Sequence, residues 1–539
     1  MNLRDTTIGI EFGSTRIKAV MIDRRHNAIA SGSYGWENTL SNGIWTYSMQ
    51  EVLFGLQSCF KDLKMDFERR FGQRLTATGA IGISAMMHGY ISKDTLTKCP
   101  KCGSENVDYI ALDDHDRLLV PFRTWRNTTT GEAAAELTEL FDFNIPQRWS
   151  VAHLYQAVLN NEEHVPMVSK VATLASYVHY LLTGCFVSGV GDASGMFPID
   201  STTITYDRKM EGKFNALLSK KGLKLKLDSV LPKVLKAGDD AGFLTSEGSL
   251  IIDPTGEFES GIRMAPPEGD AGTGMVATNS VAVYTGNVSA GTSDFAMVVL
   301  DHIPGRHREL DLVTTPSGEA VAMVHCNNCT TDIDNWIGLF GDFAKEFGMD
   351  IPKDELFSKL YGIALEGEPD CGGLLSCNYH SGEGVTDFDR GLPMFLHPTE
   401  SRMSVANFMR CHLYSALSTL KIGMDVLKVE NIRINRILAH GGFFKTGMAG
   451  QRMLSAALGV PVSSMETAGE GGPYGMALLC AFMLWNKGES LASYLEDKVY
   501  MGMEVSTIKA DTSEFSGFDA FIANYRRLLE VERKAVEVF

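Results

Sequence analysis

Ile8-Gly9-Ile10-Glu11-Phe12-Gly13-Ser14-Thr15-Arg16-Ile17-Lys18 reads as a strand, a tight turn and the start of a second strand. The glycine and two hydroxyl residues recur about half the chain away. Gly13-Ser14-Thr15-Arg16-Ile17-Lys18-Ala19-Val20-Met21-Ile22 lines up with Gly291-Thr292-Ser293-Asp294-Phe295-Ala296-Met297-Val298-Val299-Leu300. A small-hydroxyl turn repeated in each half predicts two related lobes presenting similar loops to one ligand. Successive N–H groups in such a turn make an anion-binding concavity, and the phosphate tail of a nucleotide is its usual occupant. Gly13 is expected to take a backbone shape that other residues resist. Ser14 and Thr15 add hydroxyl donors, Lys18 or Arg16 adds charge, and Glu11 is placed to hold Mg²⁺ directly or through water. A P-loop is excluded, because the glycine turn joins two strands and the G-K-[ST] ending is missing. An ordinary hairpin turn is the plain alternative, and the repeat argues against it.

A chain of 539 residues is too long for one core. Apolar content of 44% and charged content of 21% are those of an ordinary globular protein. The balance of 49 basic against 66 acidic residues leaves −17. That excludes a nucleic-acid or anionic-membrane surface. A phosphate-bearing ligand must therefore be held by local N–H groups, a few cations and Mg²⁺. The N-terminal stretch has no apolar signal core, and the longest nearly apolar run, 475–485, is about half a membrane span. The ten cysteines are scattered, as expected of reduced thiols in a cytoplasmic protein.

Along the chain, Thr7 to Phe12, Arg16 to Asp23 and Ala28 to Tyr34 read as three strands. Ser48 with Glu51 reads as a capping box before a helix carrying Val52, Leu56, Phe60, Leu63 and Phe67. Ala80 to Ile83 is a short buried strand. Helices are expected near 131–141, 150–160 and 171–183. The second half repeats the order: strands around 281–300, then helices near 331–347, 353–366 and 403–428. A strand at 434–439, a Gly-Gly turn, and helices near 447–458, 473–485 and 518–536 complete it. Such alternation predicts α/β lobes, with one boundary near 276 giving domains 1–276 and 277–539.

Three further segments carry chemistry. Glu268-Gly269-Asp270-Ala271-Gly272-Thr273-Gly274 sets a lone Asp among glycines before the second hairpin. It reads as a turn residue, or as a carboxylate that accepts a proton from an attacking hydroxyl. Ala439-His440-Gly441-Gly442-Phe443 is a strand and a Gly-Gly turn against which a flat base could lie. Met87-His88-Gly89 and Trp125-Arg126-Asn127 combine aromatic and polar groups suited to a sugar, or to any lobe surface.

These segments, in this order, resemble the FGGY family of carbohydrate kinases. The markers are GIEFGSTRIKAVMID, SAMMHG, TWRN, GDASG at 191–195, EGDAGTG, GNVSAGTS, SGEG at 381–384, AHGGFF and GEGGPYGMAL at 469–478. The resemblance implies two actin-like (ribonuclease H-like) ATPase domains with an active-site cleft between them. It implies ATP and Mg²⁺ as cofactors and a small-molecule sugar as partner. The closest likeness is to xylulose and ribulose kinases, which points to a ketopentose. A 6-deoxyketohexose, a polyol or a sugar acid are the alternatives. Carried over by position, Asp270 is the general base, contacting sugar and metal, and Glu11 lies on the metal side. Gly13, Ser14, Thr15 and Lys18 meet one side of the phosphates, Gly291 and Thr292 the other. Gly441, Gly442 and Phe443 border the adenosine. Met87, His88, Gly89, Trp125, Arg126 and Asn127 line the sugar pocket.

The chain departs from the family pattern where relatives usually carry Asp in place of Glu11, Trp-x-Asp-x-Arg at 125–129, and Arg at Gly384. Cys99-Pro-Lys-Cys102, in an insertion at about 92–109, looks like half of a zinc knuckle, with only His115 and acidic residues nearby as further ligands. Reduced thiols are expected there rather than structural Zn²⁺, and again at Cys326-Asn-Asn-Cys329. Two rivals share the fold or the ligand: an actin-like ATPase with an activating role, and a sugar sensor without turnover. The sequence leaves the sugar, and the choice between monomer and homodimer, open.

Overall fold

The computed structural model describes residues 1–37, 39–41, 44–86, 110–112, 129–445, 447–465, 471–503 and 505–539. They form two compact units. The first is Met1–Val281, Leu312–Ala320 and Glu470–Met501; the second is Ala282–Asp311, Val321–Gly469 and Gly502–Phe539. A single cut near 276 therefore understates the path of the chain, because two later segments return to the first unit.

The first unit is built on a sheet in the order Arg263–Met264, Ala80–Ala85, Thr6–Phe12, Arg16–Asp23, Ala28–Gly35, with Glu268–Gly269 also pairing Ala80–Ala85. The three N-terminal strands are antiparallel, and Ala80–Ala85 runs parallel to Thr6–Phe12. Both faces are buried, with Ile8, Ile10, Phe12, Ile81 and Ile83 on one and Thr7, Ala80 and Ser84 on the other, as a sheet covered on both faces requires. The helix Met49–Phe71 covers one face. It comes so close that a Cβ on Gly32 would lie 2.3 Å from the Cys59 carbonyl. The helix Gly471–Trp485 lies on strand Thr6–Phe12, with a Cβ on Gly9 falling 2.1 Å from the Pro473 carbonyl.

Half of the expected capping box forms. The Ser48 hydroxyl accepts from Glu51 N at 3.1 Å, but the Glu51 carboxylate accepts from the Tyr34 hydroxyl at 2.8 Å. The expected helix at 171–183 starts later, as Leu174–Thr183, because Lys170–Ala172 is a strand and Thr173 caps.

The second unit repeats the theme. Its strands run in the order Ala320–Cys326, Asp294–Val299, Thr285–Ala290, Arg436–His440, Val462–Ser464, Ser506–Ile508. Again three antiparallel strands precede a parallel one, Arg436–His440 beside Thr285–Ala290. The helix Val405–Val429 packs on this sheet, where a Cβ on Gly423 would meet Val324 at 2.4 Å. Among the described residues no helix is long and apolar enough to cross a membrane.

Candidate active site

In the first unit the register sets a polar row across the strand ends. Lys18 pairs with Glu11, Glu11 with Ser84, and Ser84 with Glu268. Gly269 pairs with Ala85, and the helix Asp270–Ala277 starts at the next residue. Asp270 is thus held at the carboxyl end of a sheet, where α/β folds place their ligands. Its Oδ1 accepts from Ala271 N at 2.9 Å. Thr273, one turn along, bonds Ser84 Oγ at 3.1 Å and donates to the Asp270 carbonyl at 3.1 Å. This ties the helix to the central strand.

Glu11 is partly buried. Burial, then the charge of Asp270, pushes its carboxyl up to about 7, while Lys18 pulls it down. Its longer side chain reaches the Gly471–Trp485 helix, where a Cβ on Gly472 would lie 2.0 Å from Oε1. Asp270 is near enough for its charge to act on Glu11, and carboxylates are hard oxygen donors of the kind Mg²⁺ takes when phosphates and water supply the rest.

The Gly13–Thr15 turn has its carbonyls turned away from solvent. Trp36 Nε1 donates to the Gly13 carbonyl at 2.8 Å, the Tyr47 hydroxyl donates to that of Ser14, and Trp36 N donates to that of Thr15 at 3.2 Å. Trp36 and Tyr47 stack at 4.2 Å beneath it. Gly13 N closes the turn on the Arg16 carbonyl at 3.0 Å, so the hydroxyls and N–H groups of Ser14 and Thr15 are the ones that supply the polarity an anion needs. Gly13 does not adopt the left-handed backbone expected of it. Its requirement is space, since a Cβ would sit 3.1 Å from the Arg16 carbonyl.

In the second unit Thr330 N donates to the Gly291 carbonyl at 3.0 Å and Cys329 N to that of Thr292 at 3.0 Å. A Cβ at Gly291 would meet nothing within 4 Å. Gly441 has φ 102°, and a Cβ there would fall 2.3 Å from the Ala290 carbonyl, so this glycine is obligatory. Gly442 is exposed. The Phe443 ring is fully buried against Tyr361 and Phe444.

Cys326 and Cys329 are buried free thiols, pushed well above the usual thiol range by burial. Among the described residues no group of three or more His, Cys, Asp or Glu is arranged to hold a metal. The loop between the two thiols is tied to the SGEG segment. Glu383 accepts from Asn327 N at 2.9 Å and Asn328 Nδ2 at 3.0 Å.

Met87, His88, Gly89, Trp125, Arg126, Asn127 and the Cys99/Cys102 pair lie outside the described residues. Glu268 and Asp192 were given no role from sequence, although both stand inside quoted motifs. Both are buried, and both carboxyls are raised first by burial, Glu268 to about 8 and Asp192 to about 6.

Two units of like topology, each with a glycine–hydroxyl turn, and one of them with a carboxylate at its sheet end, fit an actin-like (ribonuclease H-like) α/β fold. Residues 286–484 match the FGGY family of carbohydrate kinases, C-terminal domain. A xylulose kinase of Haemophilus influenzae is 22% identical over 502 residues, covering 86% of this chain and 91% of that one. Two structures from Lactobacillus acidophilus, a ligand-bound xylulose kinase and a gluconate kinase, each superpose with TM-score 0.76 at 16% identity, covering 98% of both chains. The chain is thus similar to FGGY carbohydrate kinases, and its C-terminal half, which matches that family's domain, marks it as an ATP-dependent carbohydrate kinase.

Proposed function

We propose that the protein transfers the γ-phosphoryl group of ATP to a hydroxyl of a ketopentose, xylulose before ribulose, with Asp270 as the general base. The observation that carries this is the row Lys18–Glu11–Ser84–Glu268 with Asp270 beginning a helix at its end. Asp270 takes the proton of the sugar hydroxyl as its oxygen forms the bond to phosphorus and the bond to the β-phosphate oxygen breaks. Lys18, with the hydroxyls and N–H groups of Ser14 and Thr15 on the turn that Gly13 begins, offsets the developing charge. Thr292, on the turn that Gly291 begins, offers a second set of donors, and Gly441 and Gly442 a bare backbone for the adenine. Glu11 and Asp270 would hold Mg²⁺, which when bound neutralises phosphate charge. Met87, His88, Gly89, Trp125, Arg126 and Asn127 are proposed for the sugar by motif alone.

The choice of xylulose rests on the Haemophilus influenzae relative. The gluconate kinase of equal structural likeness makes sugar acids the first alternative to screen. ADP release is to be measured across ketopentoses, 6-deoxyketohexoses, polyols and aldonic acids. The expected result is sugar-dependent release, greatest with a ketopentose. Release indifferent to sugar would favour an ATPase, and sugar binding without release a sensor. Asp270→Asn is expected to lower kcat by at least roughly a thousandfold while leaving ATP binding intact, the size expected for losing a general base. Retention of a tenth of the wild-type rate would refute the assignment.

A further inference from the structure

Glu268 is a charged residue type in a place where such residues are rarely found. It is 1% exposed and stands two residues before Asp270. Its carboxylate accepts from Asp192 N at 2.9 Å and from Gly191 N at 3.3 Å. The segment it grips has been cleared for it. A Cβ on Gly189 would lie 2.3 Å from its Oε1, and one on Gly191 would lie 2.5 Å from its Oε2. Asp192 is anchored in turn by three hydroxyls: Thr173, Ser176 at 3.3 Å and Ser188 at 3.0 Å. Glu268 is also in register with Ser84, whose hydroxyl meets Thr273 on the helix that Asp270 begins. The residue before Asp270 is therefore tied on both sides, to Ala85 by strand pairing and to the 191–192 backbone through Glu268.

A buried carboxylate accepting two backbone N–H groups costs desolvation, and an apolar residue would fill the space more cheaply. What it adds is direction, because each bond fixes where the strand end and the first helical residue lie. We propose that Glu268 is the positioning residue of Asp270, holding the base at the sheet end through Gly191 and Asp192. The inference rests on Asp270 being the base.

The test uses the full chain and its best sugar. Glu268→Ala is expected to lower kcat at least tenfold, with KM for sugar and for MgATP within threefold of wild type. Gly191→Ala pushes the same carboxylate aside without removing it and is expected to lower kcat comparably. The double variant Gly191→Ala/Glu268→Ala is expected to be no slower than Glu268→Ala alone, since the added methyl then has nothing to displace. A kcat for Glu268→Ala within twofold of wild type overturns the proposal, as do losses that multiply in the double variant. If Glu268→Ala does not fold, Gly191→Ala decides alone, and a kcat within twofold of wild type overturns it. Asp270→Asn is run beside them. Inactive Asp270→Asn with normal Glu268→Ala removes this inference only, whereas active Asp270→Asn removes the base assignment itself.

Discussion

The two hairpin turns solve one problem with different materials. In each, carbonyl oxygens of the turn are satisfied by donors from elsewhere in the same unit. In the first unit ring groups supply much of the answer: Trp36 Nε1 at 2.8 Å and the Tyr47 hydroxyl. In the second unit the donors are backbone, Cys329 N and Thr330 N at the entry to helix Thr331–Glu346. The charges differ as well. Lys18 stands across from Glu11 in the first, whereas Asp294 is wholly buried in the second. The backbones differ too: four residues separate the paired Phe12 and Ile17, three separate Ala290 and Asp294, and Gly13 N donates to the Arg16 carbonyl where Gly291 N donates to that of Ser293. A turn held by side chains can be loosened by substitution, and one held by backbone can be disturbed only by moving the chain.

The largest effect tests that last statement. Gly441→Ala places a methyl at positive φ against the Ala290 carbonyl and should cost about 3 kcal/mol or more. The checks are a lowered melting temperature and a kcat reduced with it; a normal melting temperature would mean the second turn is held less tightly than described. Next, Trp36→Phe removes the indole donor and leaves a buried carbonyl short of a partner, a loss of about 1–2 kcal/mol. KM for MgATP should rise several-fold with sugar KM unchanged, and an unaltered MgATP KM would break the claim that the rings shape this turn. The smallest effect is a contrast within one substitution. Gly13→Ala should cost about 1 kcal/mol and Gly291→Ala less than about 0.5 kcal/mol by chemical denaturation, because only Gly13 has an atom in the way. Equal losses would erase the difference between the turns.

How much was legible follows from which interactions are local. The hairpins, the helices and the position of Asp270 show in the sequence because period and turn chemistry act over a few neighbours. The partition into units does not, since Glu470–Met501 returns to the first unit by packing against strands hundreds of residues earlier. Glu268 illustrates the same limit at the site. Nothing beside it in the chain says that it is buried, because the space for it is made by Gly189 and Gly191. Phe443 shows another limit: a motif names the residue, but only packing puts its ring in the core. Glu51, too, found Tyr34 through folding rather than through its spacing from Ser48.

The return of Glu470–Met501 bears on how the protein is made. Strand Thr6–Phe12 leaves the ribosome long before helix Gly471–Trp485, yet Thr7 Oγ1 donates to the Ala477 carbonyl at 2.9 Å and Gly9 lies under Pro473. One flank of this sheet stays uncovered until residues 471–485 have been synthesised. A chain halted before residue 471 would display that bare flank to its neighbours, so a late segment guards the first unit against sticking.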